Sequence, residues 1–192
     1  LNFFGTKTVL EKITLNYNAE QDIYANGVPM EVKPNVYMTG TAKPTLYGGN
    51  SNGRVNSTSL TIEGGSFAKI YGGGNGFGAD ATNVVITAVQ DGASVYGGSR
   101  NADTGKTSVS ITVPNTPNAD AFNFAYVSGF GTDDKGALTA NVTGNAAVTI
   151  KQAQPNEYCT TTITNLSGFT TLDLGDTAGA FEKQYFDITG RF

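Results

Sequence analysis

A short motif, Ile70-Tyr71-Gly72-Gly73-Gly74, decides the fold because it returns along the chain at nearly constant spacing. Each copy places an aliphatic or small residue before a tyrosine, and Gly-Gly follows in three copies. The copies are Ile23-Tyr24, Leu46-Tyr47-Gly48-Gly49, Ile70-Tyr71-Gly72-Gly73, Val95-Tyr96-Gly97-Gly98 and Ala125-Tyr126. Consecutive tyrosines are 23, 24, 25 and 30 residues apart, which indicates an internal repeat.

A second motif, apolar-x-apolar, follows the same period. Its copies are Ile13-Thr14-Leu15, Val36-Tyr37-Met38, Leu60-Thr61-Ile62, Val84-Val85-Ile86, Val109-Ser110-Ile111 and Val148-Thr149-Ile150. Counted at the third residue, the steps are 23, 24, 24, 25 and 39 residues. The segments between the motifs are rich in Gly, Asn and Asp, and none has helical periodicity. Each repeat therefore predicts two short strands joined by loops.

A period of about 24 residues is typical of one coil of a β-solenoid, in which successive coils pair in parallel about 4.8 Å apart. The sequence predicts an all-β, right-handed parallel β-helix (a β-solenoid with about 24 residues per coil) with capped ends. We expect one domain over 1–192, with an N-terminal cap at 1–12, coils over 13–175 and a C-terminal cap at 176–192. The two long steps predict loop insertions at 115–124 and 129–145.

Composition supports a β-rich chain and excludes several functions. The 192 residues include 25 Gly, and only 15% are charged, which disfavours a helical bundle. There is no His and one cysteine, Cys159, so imidazole catalysis and an internal disulfide are excluded. A net charge of −4 without a Lys/Arg cluster argues against nucleic acid as a partner. The chain also lacks an apolar segment long enough for membrane insertion.

Strand alternation predicts which side chains face the core. Pairs such as Leu60/Ile62 and Val109/Ile111 are expected to point inward, and the middle residues outward. The predicted outward column is Thr14, Tyr37, Thr61, Val85, Ser110 and Thr149. By the same rule Ile23, Leu46, Ile70 and Val95 point inward and the motif tyrosines outward. The tyrosines then form either an exposed aromatic ridge or a packed corner, at which the following glycines supply positive φ.

The Tyr-Gly-Gly repeats with interleaved Thr-x-Ile strands resemble the right-handed parallel β-helix repeats of bacterial surface and adhesin-like proteins. The segment 165–174 is similar to the last coils of autotransporter-type passenger β-helices. This resemblance, over roughly 12–175, implies a secreted or bacterial cell-surface location. No signal-peptide pattern is present, so the sequence, which begins at Leu1, is expected to be a mature or excised fragment.

The function expected from these observations is a non-catalytic surface module, adhesin-like or a structural spacer, that needs no cofactor. The expected partner is a glycan or a host surface, bound by the tyrosine ridge and by loop amides and a guanidinium. The candidate ligand-binding residues are Tyr24, Tyr47, Tyr71, Tyr96, Tyr126, Asn50, Asn52, Asn75, Arg100 and Asn101.

The alternative function is a polysaccharide lyase, since the parallel β-helix also carries pectin and pectate lyases. Such an enzyme needs converging carboxylates for Ca²⁺ and a base. The predicted outward column has no charged residue, and a second outward column beside it has only two, Glu63 and Lys151; this second column is Asn16, Thr39, Glu63, Thr87, Thr112 and Lys151. No catalytic residue is therefore assigned. Asp133 and Asp134 are weak candidates for an incidental metal ion, and a solvated turn is the alternative there.

Overall fold

A computed structural model describes residues 1–88, 90–113, 122–152 and 161–174. In this part of the chain the secondary structure is all β, without a helix. The strands are β1 (Thr8–Leu10), β2 (Thr14–Asn16), β3 (Asp22–Tyr24), β4 (Met30–Val32), β5 (Tyr37–Thr39), β6 (Thr45–Tyr47), β7 (Val55–Ile62), β8 (Lys69–Tyr71), β9 (Ala79–Ile86), β10 (Ala93–Tyr96), β11 (Lys106–Val113), β12 (Phe122–Ser128), β13 (Gly131–Thr132), β14 (Leu138–Thr139), β15 (Ala146–Gln152), β16 (Thr161–Ile163) and β17 (Thr171–Asp173).

Two long parallel sheets organise the strands. The larger has seven strands in the order β1-β4-β7-β9-β11-β15-β17, and the smaller has six in the order β16-β12-β10-β8-β6-β3. Every neighbouring pair in both sheets is parallel. Chain order and spatial order agree in each sheet, so each repeat adds one strand to both.

The core lies between the two sheets, as the alternation predicted. Leu60, Ile62, Val109 and Ile111 are fully buried. They share one hydrophobic cluster with the inward residues of the six-stranded sheet, Ile23, Leu46, Ile70 and Val95. The register of the strands places identical residues next to each other, with Ile62 beside Ile86 and Ile86 beside Ile111. Burial of such aliphatic side chains drives the association of the two sheets.

The first two apolar-x-apolar triplets do not join the seven-stranded sheet, and this part of the prediction is wrong. Thr14–Asn16 pairs with Tyr37–Thr39 in a separate two-stranded sheet. Met30–Val32 pairs with Leu60–Ile62 instead. Met30 and Val32 are almost fully buried in this register, whereas Ile13 of the first triplet stays 37% exposed; Val36 of the second triplet is buried beside the same core without joining the sheet. The outward column is therefore Val9, Glu31, Thr61, Val85, Ser110, Thr149 and Asp173.

The predicted insertion at 129–145 contains the only antiparallel pair among the described strands, β13 with β14. Most of the other predicted insertion, 115–124, lies outside the described residues. The same holds for Cys159 and for the predicted C-terminal cap at 176–192.

Candidate functional site

Four tyrosines form a continuous stack, here called the tyrosine ladder: Tyr24, Tyr47, Tyr71 and Tyr96. Each is the last residue of its strand in the six-stranded sheet, and the parallel register aligns them. Successive ring centroids are 4.9, 5.0 and 4.9 Å apart, with interplanar angles of 10°, 8° and 22°. The strand spacing of about 4.8 Å is also a favourable distance for offset aromatic stacking, so register alone builds the stack.

The rings of the tyrosine ladder are buried, so of the two alternatives for the tyrosines the structure has the packed corner and not the exposed aromatic ridge. Exposure is 8, 1, 1 and 6% along the ladder. The rings point away from the core as alternation requires, but they form a second hydrophobic cluster with Tyr126 and Leu138. Tyr47 and Tyr71 each stack between two neighbouring rings. The tyrosine ladder therefore offers a sugar ring no exposed aromatic face.

The chain segments that follow the glycines cover the hydroxyl ends of the ladder. The Asn75 amide donates to the Tyr24 hydroxyl over 3.2 Å, and the Tyr71 and Thr132 hydroxyls are 3.0 Å apart. Isolated parallel bridges join Asn75 to Arg100 and Arg100 to Thr132. These segments thus lie side by side in register, outside the tyrosines.

Tyr126 contacts the ladder but does not continue its register. An irregularity between Ala93 and Ser94 pairs Tyr126 with Ser94, and Ser128 takes the position beside Tyr96. The Tyr126 ring is tilted by 30° at 5.8 Å from Tyr96. This bulge adds one residue to β12, and the Ala125-Tyr126 motif in the sequence gives no sign of it.

The glycines after the tyrosines permit close contact between adjacent repeats, rather than supplying positive φ. Gly48 and Gly72 are not among the glycines with positive φ. A Cβ on Gly48 would lie 2.3 Å from the Gly72 carbonyl oxygen, and one on Gly72 would lie 2.2 Å from that of Gly97. Any side chain there would collide with the backbone of the next repeat, so glycine is required for packing.

Buried threonines hold the same corner. The hydroxyls of Thr58, Thr82 and Thr107 donate to the carbonyls of Gly72, Gly97 and Gly129 over 2.7, 2.6 and 2.6 Å. Their residues are only 3–5% exposed. Sequence reasoning assigned threonine to outward columns and missed this row. Counting back two residues from the inward Leu60 or Val84 would have placed Thr58 and Thr82 on the core face.

A polar cavity of about 340 Å³ lies against the tyrosine ladder, and we call it the polar hollow. Its lining combines four charged side chains with hydroxyl groups. The lining residues are Glu20, Asp22, Thr45, Tyr47, Lys69, Tyr71 and Arg100. Tyr47, Tyr71 and Arg100 were predicted as ligand-binding residues, and the other four were not. Asp22, Thr45 and Lys69 form the column two residues before the tyrosines, and this regular offset is the signal that could have found them.

Burial and the Arg100 guanidinium set the electrostatics of the hollow. Desolvation by burial raises the pKa of Tyr47 and Tyr71 above the ordinary phenol value of 10.0, so both hydroxyls keep their protons to a higher pH than exposed tyrosines do. A hydrogen-bonding contact with the Tyr47 hydroxyl raises the pKa of Arg100. The Arg100 guanidinium also donates to the carbonyl of Asp134 over 2.7 Å, which holds it over the hollow.

The four predicted asparagines have different environments. The Asn50 side chain accepts from the backbone of Asn52 and Gly53 over 2.8 and 2.7 Å, which closes a local turn. Asn52 and Asn101 are exposed, and Asn101 has a left-handed φ of 54°. The Asn75 backbone donates to the Asn50 carbonyl, so Asn50, Asn75 and Arg100 lie in neighbouring repeats of one covering layer.

Of the two aspartates named as weak candidates for a metal ion, Asp133 uses its carboxylate in a turn, and Asp134 accepts from the Arg100 guanidinium through its backbone carbonyl. The Asp133 carboxylate accepts from the backbone of Lys135 and Ala137 over 2.9 and 2.8 Å, which closes the turn before β14. Within the described ranges, no group of three or more His, Cys, Asp or Glu side chains is placed to hold a metal ion.

No protein-family model, curated protein or solved structure matches this chain. The described residues also contain no helix of the length and apolar character needed to cross a membrane.

Proposed function

We propose that this chain is a right-handed parallel β-helix that serves as a rigid, non-catalytic module of a secreted or bacterial cell-surface protein, acting as a spacer or adhesin-like element. One observation carries the proposal: the same residues recur in register at each step of two parallel sheets. Handedness follows from the strong preference of parallel crossovers for the right-handed form.

The recurring contacts support rigidity. The core rows, the tyrosine ladder and the threonine-to-carbonyl hydrogen bonds each join one repeat to the next. Stacked repeats that contact only their neighbours are typical of solenoids, in which added repeats add length. Because the repeated residues form these contacts, the chain is suited to hold other groups at a fixed distance from one another.

The fixed distance is testable with two spin labels in one outward column. Val9 and Asp173 lie in the first and last strands of the seven-stranded sheet, six spacings apart, which predicts about 29 Å between their backbones. In a Cys159→Ser background, labels at these sites should give one narrow distance distribution, and labels at Glu31 and Thr149 a proportionally shorter one. A broad or multimodal distribution for both pairs would contradict the proposal.

The adhesin-like and lyase interpretations are separated by binding and activity assays on the full chain. A lyase given pectin-like polymers with Ca²⁺ would produce unsaturated sugar ends that absorb in the ultraviolet. Release of such products would overturn the non-catalytic assignment. Binding to immobilised glycans without product release would favour the adhesin-like element over the spacer.

A further inference from the structure

We propose that the polar hollow binds a small zwitterion, a molecule with one ammonium and one carboxylate group such as a short peptide or free amino acid. This inference goes beyond the spacer function and does not depend on it. It rests on the arrangement of charge around the cavity and on the fixed positions of the groups that line it.

Carboxylates and cations both line the hollow. Glu20 and Asp22 come from β3 and the loop before it, whereas Lys69 is in β8 and Arg100 follows β10. Asp22 and Lys69 belong to one column with Thr45 between them. Their backbones are two strand spacings apart, about 9.6 Å. The hollow therefore has carboxylates on the side of β3 and the Lys69 ammonium on the side of β8, and the Arg100 guanidinium lies between them, beside the Tyr47 hydroxyl.

These charges do not neutralise one another directly. Among the described residues, none of the four makes an ion pair within 4.0 Å, in contrast to Lys33 with Glu31 and Glu63 on the other sheet. The Asp22 carboxylate accepts only the Tyr24 hydroxyl, at 2.8 Å, within the same part of the chain. The carboxylates and the cations of the hollow both keep hydrogen-bonding capacity for a ligand.

The chemistry of the lining points to a zwitterion. The carboxylates of Glu20 and Asp22 can accept from an ammonium group, and the Lys69 and Arg100 side chains can donate to a carboxylate of the same small molecule. A simple anion or cation pairs with one sign of charge and leaves the other unpaired. The phenols of Tyr47 and Tyr71 are 1% exposed and held in the ladder, so this wall is preformed.

The test is calorimetric titration of the full chain with glycylglycine and glycine, beside acetate, methylammonium and methyl glucoside. The zwitterions should bind at least about tenfold more tightly than the three other probes, the factor expected from losing one charged contact. Equal binding of acetate or methylammonium, tighter binding of methyl glucoside, or no detectable binding of either zwitterion would overturn the proposal.

Matched variants locate the site. Lys69→Met and Glu20→Gln should each weaken glycylglycine binding about tenfold, the factor expected from losing one charged contact. Lys151→Met and Glu11→Gln, at exposed positions outside the hollow, should leave it unchanged. All four replaced side chains are exposed, so each variant is expected to fold. An equal loss in the Lys151 or Glu11 variant would place binding elsewhere and refute the assignment.

Discussion

At Gly72 the backbone of the next repeat is so close that only glycine fits. A Cβ there would lie 2.2 Å from the Gly97 carbonyl oxygen and 2.9 Å from the Thr82 Cβ. Gly72→Ala should therefore destabilise the protein by about 1–3 kcal/mol, because neither neighbour is the free end of a flexible side chain. Urea denaturation followed by circular dichroism measures the loss.

Gly53→Ala is the matched control for this prediction. A Cβ on Gly53 has no neighbour within 4 Å, and its φ is not positive. The variant should be neutral or stabilised by up to about 1 kcal/mol, since alanine restricts the unfolded chain. Equal destabilisation of both variants would show that close packing is not the reason for Gly72.

Thr82 provides a second prediction at the residue scale. Its buried hydroxyl donates to the Gly97 carbonyl over 2.6 Å. Thr82→Val keeps the shape and removes the donor, and should cost about 1–3 kcal/mol in the free energy of unfolding. Thr149→Val, on the outward column of β15, should change stability by less than about 0.5 kcal/mol. A similar change in both variants would contradict a specific role for the hydrogen bond.

At the scale of the element, the tyrosine ladder predicts loss of stability in alkali. Burial raises the pKa of Tyr24, Tyr47, Tyr71 and Tyr96 above the ordinary value of 10.0. Above that pH the unfolded chain has lost these protons while the folded chain retains them. Ionisation therefore favours unfolding, and the stability present below pH 10 decreases as the pH rises beyond it.

Tyrosinate absorbance during an alkaline titration measures this coupling. The ladder phenols should ionise together with the loss of the β-sheet circular dichroism signal. Tyr47→Phe should make the decrease of stability with pH less steep, and Tyr37→Phe, at a residue 59% exposed, should not. Ionisation of the ladder phenols in a chain that stays folded would contradict their burial.

At the scale of the whole molecule, pairing predicts a gradient of stability along the sheets. β9 has eight residues and pairs on both sides, at seven positions with β7 and at six with β11. By contrast, β1 is a three-residue edge strand, and among the described strands β2 pairs only with β5. Amide hydrogen exchange should be slowest in β7, β9 and β11 and fastest in β1, β2 and β5, because local opening needs fewer contacts to break there. Uniform protection across these strands would contradict nearest-neighbour stacking.

The all-β class and the inward rows could be derived from the sequence alone. A repeated aliphatic residue at an alternating position, as in Leu60/Ile62, has the same local environment in every repeat, so periodicity identifies it. The position of the tyrosines on the opposite side from Ile23 and Leu46 follows from the same alternation. These properties depend only on neighbours along one strand.

Properties that depend on segments distant in the chain were decided by the tertiary structure. Met30–Val32 and Val36-Tyr37-Met38 share one pattern, and only packing against Leu60–Ile62 selects the first for the seven-stranded sheet. Burial of the tyrosine ladder requires the covering layer that contains Asn75 and Arg100. The polar hollow brings Arg100 beside Tyr47, which lies more than fifty residues earlier in the chain. The physical reason is that alternation sets the direction of a side chain, whereas the chain that folds over it sets its exposure.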